Sequence, residues 1–138
     1  MDTDNTNNTD VVGRKVALIH GDLTYRINGI LFAAHKELGP YAREKQYSKV
    51  VARMFKERGM GYEAEVSIGD SGNIVDGIVE KLVLLEFKAK RILTPEDYYQ
   101  IQRYLQETNL RLGILVNFRD KLIRPKRVVK IENWKDKK

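Results

Sequence analysis

Apolar residues recur at helical spacing early in the chain and at strand spacing in its middle. Ile27, Ile30, Leu31, Ala34 and Leu38 share one face of a 3.6-residue repeat, which predicts an amphipathic helix opening near Thr24. Asp22 or Thr24 is the expected cap, because a short side-chain oxygen can accept from the free N–H groups of the first turn. Gly39-Pro40 should end the helix, since Gly tolerates a left-handed residue and Pro cannot continue the turn. Tyr47, Val50, Val51, Met54 and Phe55 form the stripe of a second helix, expected from Ala42 to Arg58 and closed by Gly59.

Strands are expected over 62–68, 73–79 and 82–89. The first two flank a Gly69-Asp70-Ser71-Gly72 turn. The last two should pair as a hairpin around Glu80-Lys81, residues poorly suited to the tightest turns. Thr94-Pro95-Glu96-Asp97 opens a third helix, with Thr94 at the cap, Pro95 at the first helical position and Asp97 as the capping-box acid. It should end near Glu107. Leu112–Val116 is a short apolar run expected as a buried strand, and 128–131 as a final edge strand. The order α-α-β-β-β-α-β-(β) predicts an α/β (α+β) mixed sheet with helices packed on it.

A chain of 138 residues fits one domain. We expect a disordered leader over 1–10, a domain over 11–134 and a basic tail over 135–138. A hydrophobic content of 42% supports a core. Without cysteine, disulfides and thiolate metal sites are excluded and a reducing cytoplasm is permitted. No apolar run reaches the length of a membrane span, and the acidic, polar N-terminus is unlike a secretory signal. The expected location is therefore the cytoplasm, with no membrane partner. The net charge of +6 agrees with a polyanionic partner but also with simple solubility, so charge alone selects neither.

The chemistry concentrates between Asn73 and Lys90. Glu86 and Lys88 are two apart on a strand and point to the same face. Both faces of that strand are apolar, with Leu82 and Leu84 on one side and Val83, Leu85, Phe87 and Ala89 on the other, which marks a central strand. A carboxylate and an ammonium at the end of such a strand need partners. Asp76, on the preceding strand, would be brought beside Glu86 by the hairpin. Two close carboxylates repel unless a hard cation lies between them, and oxygen donors suit Mg²⁺ or Mn²⁺. Such a cation could serve phosphodiester hydrolysis, with Lys88 orienting water or offsetting transition-state charge. A local ion pair at a strand end is the plainer reading of the same residues.

Two further features bear on that choice. Glu44 lies at the N-terminal end of the second helix's apolar stripe, where it could add a third carboxylate or simply favour the helix dipole. Gln100 and Tyr104 are i and i+4 neighbours on the third helix. Together they could meet a phosphate oxygen, a water or a base edge, or be ordinary surface polarity with Tyr104 half in the core. Arg103 and Lys90 are the nearest cations for substrate contact.

In this order the residues resemble the GxxExxY family, placed in the PD-(D/E)xK nuclease superfamily. The resemblance runs from about Leu23 to Val129. It is carried by Leu23-Thr24, His35-Lys-Glu-Leu-Gly-Pro40, Glu44-Lys-Gln-Tyr47, Asp76, Glu86-Phe-Lys88, Leu93-Thr94-Pro95, Gln100-Ile-Gln-Arg-Tyr104 and Leu112-Gly-Ile-Leu-Val-Asn-Phe118. It implies a restriction-endonuclease-like core. It also implies Asp76, Glu86 and the Phe87 carbonyl as metal ligands, Lys88 as the catalytic lysine, Glu44 as the helix-borne acid, and Gln100 with Tyr104 as the Q-x-x-x-Y element of RecB-like nucleases. Many relatives of this fold cut duplexes as dimers, so a homodimer is compatible. The family's name-giving glycine falls on Tyr41 here, and Asp76 is not preceded by Pro.

Other residues speak less specifically. His35 reads first as a packing residue, and Glu63 and Glu65 as solvated strand carboxylates. Lys121, Arg124, Lys126, Arg127 and Lys130 read as phosphate contacts or a solvated face, and Trp134 as a sheet-edge cover or a stacking ring. The leading expectation is a Mg²⁺-dependent nuclease acting on nucleic acid, DNA foremost, largely without sequence preference, since no recognition helix or zinc-finger spacing is visible. The rivals are a non-catalytic nucleic-acid-binding or partner-binding module and a protein-interaction subunit.

Overall fold

The computed structural model describes residues 18–136 and the backbone of two short strands before them, β1 (Asp10–Val11) and β2 (Arg14–Lys15), which pair antiparallel. Of the leader expected over 1–10, residues 1–9 lie outside the described residues and Asp10 begins β1; the last two residues of the basic tail also lie outside them.

Helices α1 (Gly21–Leu38) and α2 (Glu44–Glu57) precede strands β3 (Tyr62–Ile68), β4 (Asn73–Val79) and β5 (Val83–Lys88). Helix α3 (Pro95–Thr108), β6 (Leu112–Asn117) and β7 (Lys126–Val129) follow. The five strands β3 to β7 lie side by side in chain order. All neighbours are antiparallel except β5 and β6, which run parallel through the α3 crossover. This is the mixed sheet that the hydrophobic pattern predicts.

The central strands β5 and β6 are buried on both faces. Tyr47, Val51 and Phe55 of α2 and Ile27, Ile30 and Leu31 of α1 pack with Val83, Leu85, Phe87, Ile114 and Val116. Ile101, Tyr104 and Leu105 of α3 pack on the other face with Ile78, Leu84 and Leu115. The alternation along β5 therefore sends Val83, Leu85 and Phe87 to the two-helix side, and Leu84, Glu86 and Lys88 to the α3 side.

Several boundaries depart from expectation, each for a local reason. Helix α1 begins at Gly21, and neither Asp22 nor Thr24 caps it. Thr24 Oγ1 instead accepts from the Arg127 guanidinium at 2.7 Å, which also donates to the Ile19 carbonyl. Helix α2 begins at Glu44 because Ala42 N–H goes to the Tyr47 hydroxyl and Gln46 caps Arg43 N–H. At the third helix Thr94 is the cap residue, but the bond runs from its N–H to the reaching Asp97 carboxylate at 2.7 Å. Strand β7 starts earlier than expected and stops at Val129, because Gln102 and Gln106 of α3 take the backbone groups of Ile131.

The β4–β5 turn forms despite its residues. Glu80 and Lys81 both adopt left-handed backbone, with φ of 51° and 59°. Their strain is offset where Glu80 accepts from Gly61 N–H at 2.8 Å and donates its own N–H to the Gly61 carbonyl. The turn fixes the register that brings Asp76 toward Glu86.

Candidate active site

The ladder between β4 and β5 runs from Val79↔Val83 to Gly77↔Leu85 and stops there. The next pair in that register would be Asp76 with Glu86. Instead, Phe87 N–H donates to Asp76 Oδ2 at 2.6 Å, and Asp76 N–H donates to Glu86 Oε1 at 3.2 Å. Two side-chain carboxylates thus replace backbone acceptors where the strands part.

On the other side of β4, pairing skips from Ala64↔Gly77 to Val66↔Val75 around Glu65, which has a φ of 53°. Asp76 therefore sits at a break in the sheet on both flanks. The local twist also disturbs alternation, because Val75 and Ile78 both pack in the α3-side core. Gly77 is required here: any Cβ would run into the Tyr62 ring, which stacks on Phe55 at 4.4 Å.

Glu86 is 6% exposed. Burial raises its pKa far above the usual carboxylate range, and the neighbouring Asp76 charge raises it further, against weaker opposition from Lys88. Burial raises Asp76 as well, opposed by the Phe87 N–H and Glu86 bonds, while Glu44 adds a like charge from the start of α2. Glu44 itself is exposed, so it reaches toward Asp76 from the solvent side.

Lys88 lies on the same face. Its Nζ donates to Gln100 Oε1 at 2.7 Å and stands 3.8 Å from Glu86 Oε2. It is also 4.0 Å from Asp97, which forms a closer pair with Lys90 at 2.9 Å. Desolvation works against the charged form of Asp97, but Thr94 N–H and the two lysines outweigh it, so its pKa falls below the usual value. Asp97 was expected only as a capping acid. Its second task, holding two ammonium groups, needed the fold to appear, although a buried N3 Asp facing a Lys-x-Lys strand end was its sequence trace.

Tyr104 is buried beside the pair. Its pKa is raised first by burial and then by the Glu86 charge, which places its hydroxyl within electrostatic reach of the centre. Arg103 is taken up by Glu96 at 2.5 Å and Asp136 at 3.3 Å, so it stands as a tethered cation rather than a free one. His35 lies elsewhere, its Nε2 2.8 Å from the Asp120 carbonyl and its ring stacked toward Phe118, as a packing residue would be. Glu63 and Glu65 are exposed on β3. Of the basic run, Lys121, Arg124 and Lys126 face solvent. Arg127 points inward to α1, and Lys130 lies 3.7 Å from Glu132. Trp134 is half-buried.

The donor set fits a hard divalent cation. Asp76 and Glu86 are two oxygen-bearing groups held so close that they cannot both carry a charge cheaply, and a cation between them would remove that penalty. Among the described residues no group of three or more His, Cys, Asp or Glu side chains is gathered closely enough to hold a metal ion. The cradle is two-sided, with Glu44 as an outlying acid.

A family model of the PD-(D/E)XK nuclease superfamily matches residues 21–130, from the first turn of α1 to just past β7. The chain belongs to this superfamily, and its five-stranded mixed sheet with three helices is restriction-endonuclease-like. Among solved structures, the one described as "Crystal structure of SSO0001" is similar at 19% identity with a TM-score of 0.43, covering 75% of this chain and 65% of that one. No curated protein matches the chain. No helix among the described residues is long and apolar enough to cross a membrane.

Proposed function

We propose that this chain hydrolyses phosphodiester bonds in nucleic acid, DNA foremost, with Mg²⁺ or Mn²⁺ as cofactor and little dependence on sequence. The observation that carries the reading is the meeting of Asp76 and Glu86 at the parting of β4 and β5, with Lys88 on the same face. Asp76, Glu86 and the Phe87 carbonyl would hold the cation, and Glu44 would approach it from α2. When bound, the cation supplies positive charge to the scissile phosphate and makes water more acidic.

The chain's own residues do the rest. The Lys88 ammonium, fixed by Gln100 and flanked by Glu86, is aimed to orient a water or to offset charge on the phosphate at the transition state. Tyr104 walls the site on the α3 side, and Lys90 and Arg103, each now paired with a carboxylate, would meet a phosphate backbone by exchanging that partner. We place this activity in the cytoplasm, where a cysteine-free chain loses nothing to reducing conditions.

The test is a divalent-metal titration against labelled single-stranded and duplex DNA and RNA. Cleavage should require Mg²⁺ or Mn²⁺ and disappear in Lys88→Ala and in Asp76→Ala, with circular dichroism unchanged. Metal-independent cleavage, or binding with no cleavage by the parent protein under any metal, would overturn the hydrolase reading. The second result would favour a non-catalytic binding module. Sedimentation of the protein with and without duplex would show whether two copies act together.

A further inference from the structure

An exposed aromatic side chain on the loop after α1 stands beside an arginine on the loop after β6. Tyr41 is 81% exposed, and the Arg119 guanidinium carbon lies 5.3 Å from its ring centroid. A phenol ring left in water gains nothing from burial, so the fold alone does not account for it. No salt bridge among the described residues occupies Arg119.

Both residues stand on rigid supports. Tyr41 belongs to the loop between α1 and α2, where Gly39 has a φ of 74° and its carbonyl accepts from the Tyr47 hydroxyl. Arg119 follows Phe118, and Phe118 stacks on Tyr47 with centroids 4.1 Å apart. Asn117 Oδ1 accepts from Arg119 N–H at 3.3 Å. The Tyr47–Phe118 stack therefore fastens the two loops to one another beneath Tyr41 and Arg119.

The same supports connect to the acidic centre. Phe118 N–H donates to the Lys88 carbonyl at 2.8 Å. Three residues after Tyr41, Glu44 opens α2.

We infer that Tyr41 and Arg119 form a platform for an unpaired nucleobase, with Arg119 also meeting its phosphate. The ring has one face toward the guanidinium and the other open, which suits a planar partner. Duplex interiors hide base faces, so the platform selects single-stranded or frayed nucleic acid. The inference rests on the nucleic-acid reading above and adds the strand state of the substrate.

The experiment measures equilibrium binding in EDTA, where cleavage does not interfere. The probes are a labelled oligothymidylate, an abasic oligomer of equal length and a duplex. Tyr41→Ala should weaken oligothymidylate binding on the order of tenfold, the scale of one lost base–aromatic stack. It should leave abasic and duplex binding within about twofold, and Tyr41→Phe should bind as the parent does. Equal weakening of the abasic oligomer, or no weakening of oligothymidylate, would overturn the platform. If the parent binds no nucleic acid in EDTA, this inference falls, while the hydrolase reading is decided by the metal titration above. If the parent cleaves with metal yet Tyr41→Ala binds oligothymidylate normally, the platform alone falls.

Discussion

Asp76 and Glu86 face each other at the first position where β4 and β5 no longer pair, and each accepts a backbone N–H from its neighbour's strand. A regular ladder would have used those N–H groups itself. Parting the strands frees two carboxylates from solvent-facing positions and fixes them by main-chain atoms, which makes the pair part of the sheet's own bonding.

That placement should make stability depend on pH and on metal. Burial and the neighbouring Asp76 charge push the Glu86 carboxyl up to about 8 in the fold, so the native state holds a proton that the unfolded chain releases. A raised carboxylate contributes stability below its unfolded pKa, and that stability is lost as pH rises through the folded value. The metal-free melting temperature should therefore fall from about pH 5 toward pH 8. Glu86→Gln should flatten the decline. Mg²⁺ should raise the melting temperature more at high pH than at low, because it competes with that proton. A melting temperature that rises across this window would contradict the assignment.

Asp97 should matter to activity through Lys88 and Lys90. Asp97→Asn keeps the size of the side chain but removes the charge between the two ammonium groups. The single-turnover cleavage rate should fall, but by less than the roughly hundredfold or greater loss expected for Lys88→Ala. The weakened cap should cost about 1 kcal/mol in urea unfolding. An unchanged rate with only the stability loss would reduce Asp97 to a capping residue.

Gly77→Ala should destabilise the protein by about 1–3 kcal/mol, because the new methyl group meets the Tyr62 ring in a packed interior. Shrinking the obstacle in a Gly77→Ala, Tyr62→Leu double variant should recover part of the loss. Urea denaturation of the parent, the Gly77→Ala and Tyr62→Leu single variants and the double variant measures it, and strictly additive losses would show that the two sites do not meet.

Lys81→Gly should stabilise the fold by roughly 0.5–1 kcal/mol, since Lys81 holds a left-handed backbone that glycine adopts freely. Its side chain is exposed, so little else changes. A loss of stability would mean that the lysine makes a contact worth more than the strain.

Much of the fold could be read from periodicity. The stripe from Ile27 to Leu38, the one from Tyr47 to Phe55 and the doubly apolar strand around Leu84 each state a face, and faces dictate layers. The parity of Glu86 and Lys88 also survives into the structure, because alternation along an extended strand is a local property. Boundaries were less legible. Thr24 looks like a cap in isolation, yet a residue more than a hundred positions away claims its oxygen.

What the sequence determined by itself was the set of elements, the pattern of the two cores and the common face of Glu86 and Lys88, all consequences of short-range geometry. The tertiary structure decided the rest: the opening of the ladder at Asp76, the left-handed Glu65 beside it, the burial that lifts Glu86, and the grip of Asp97 on two lysines. Those depend on which segments lie next to each other and how much water they exclude. No residue carries that information until the chain has closed around it.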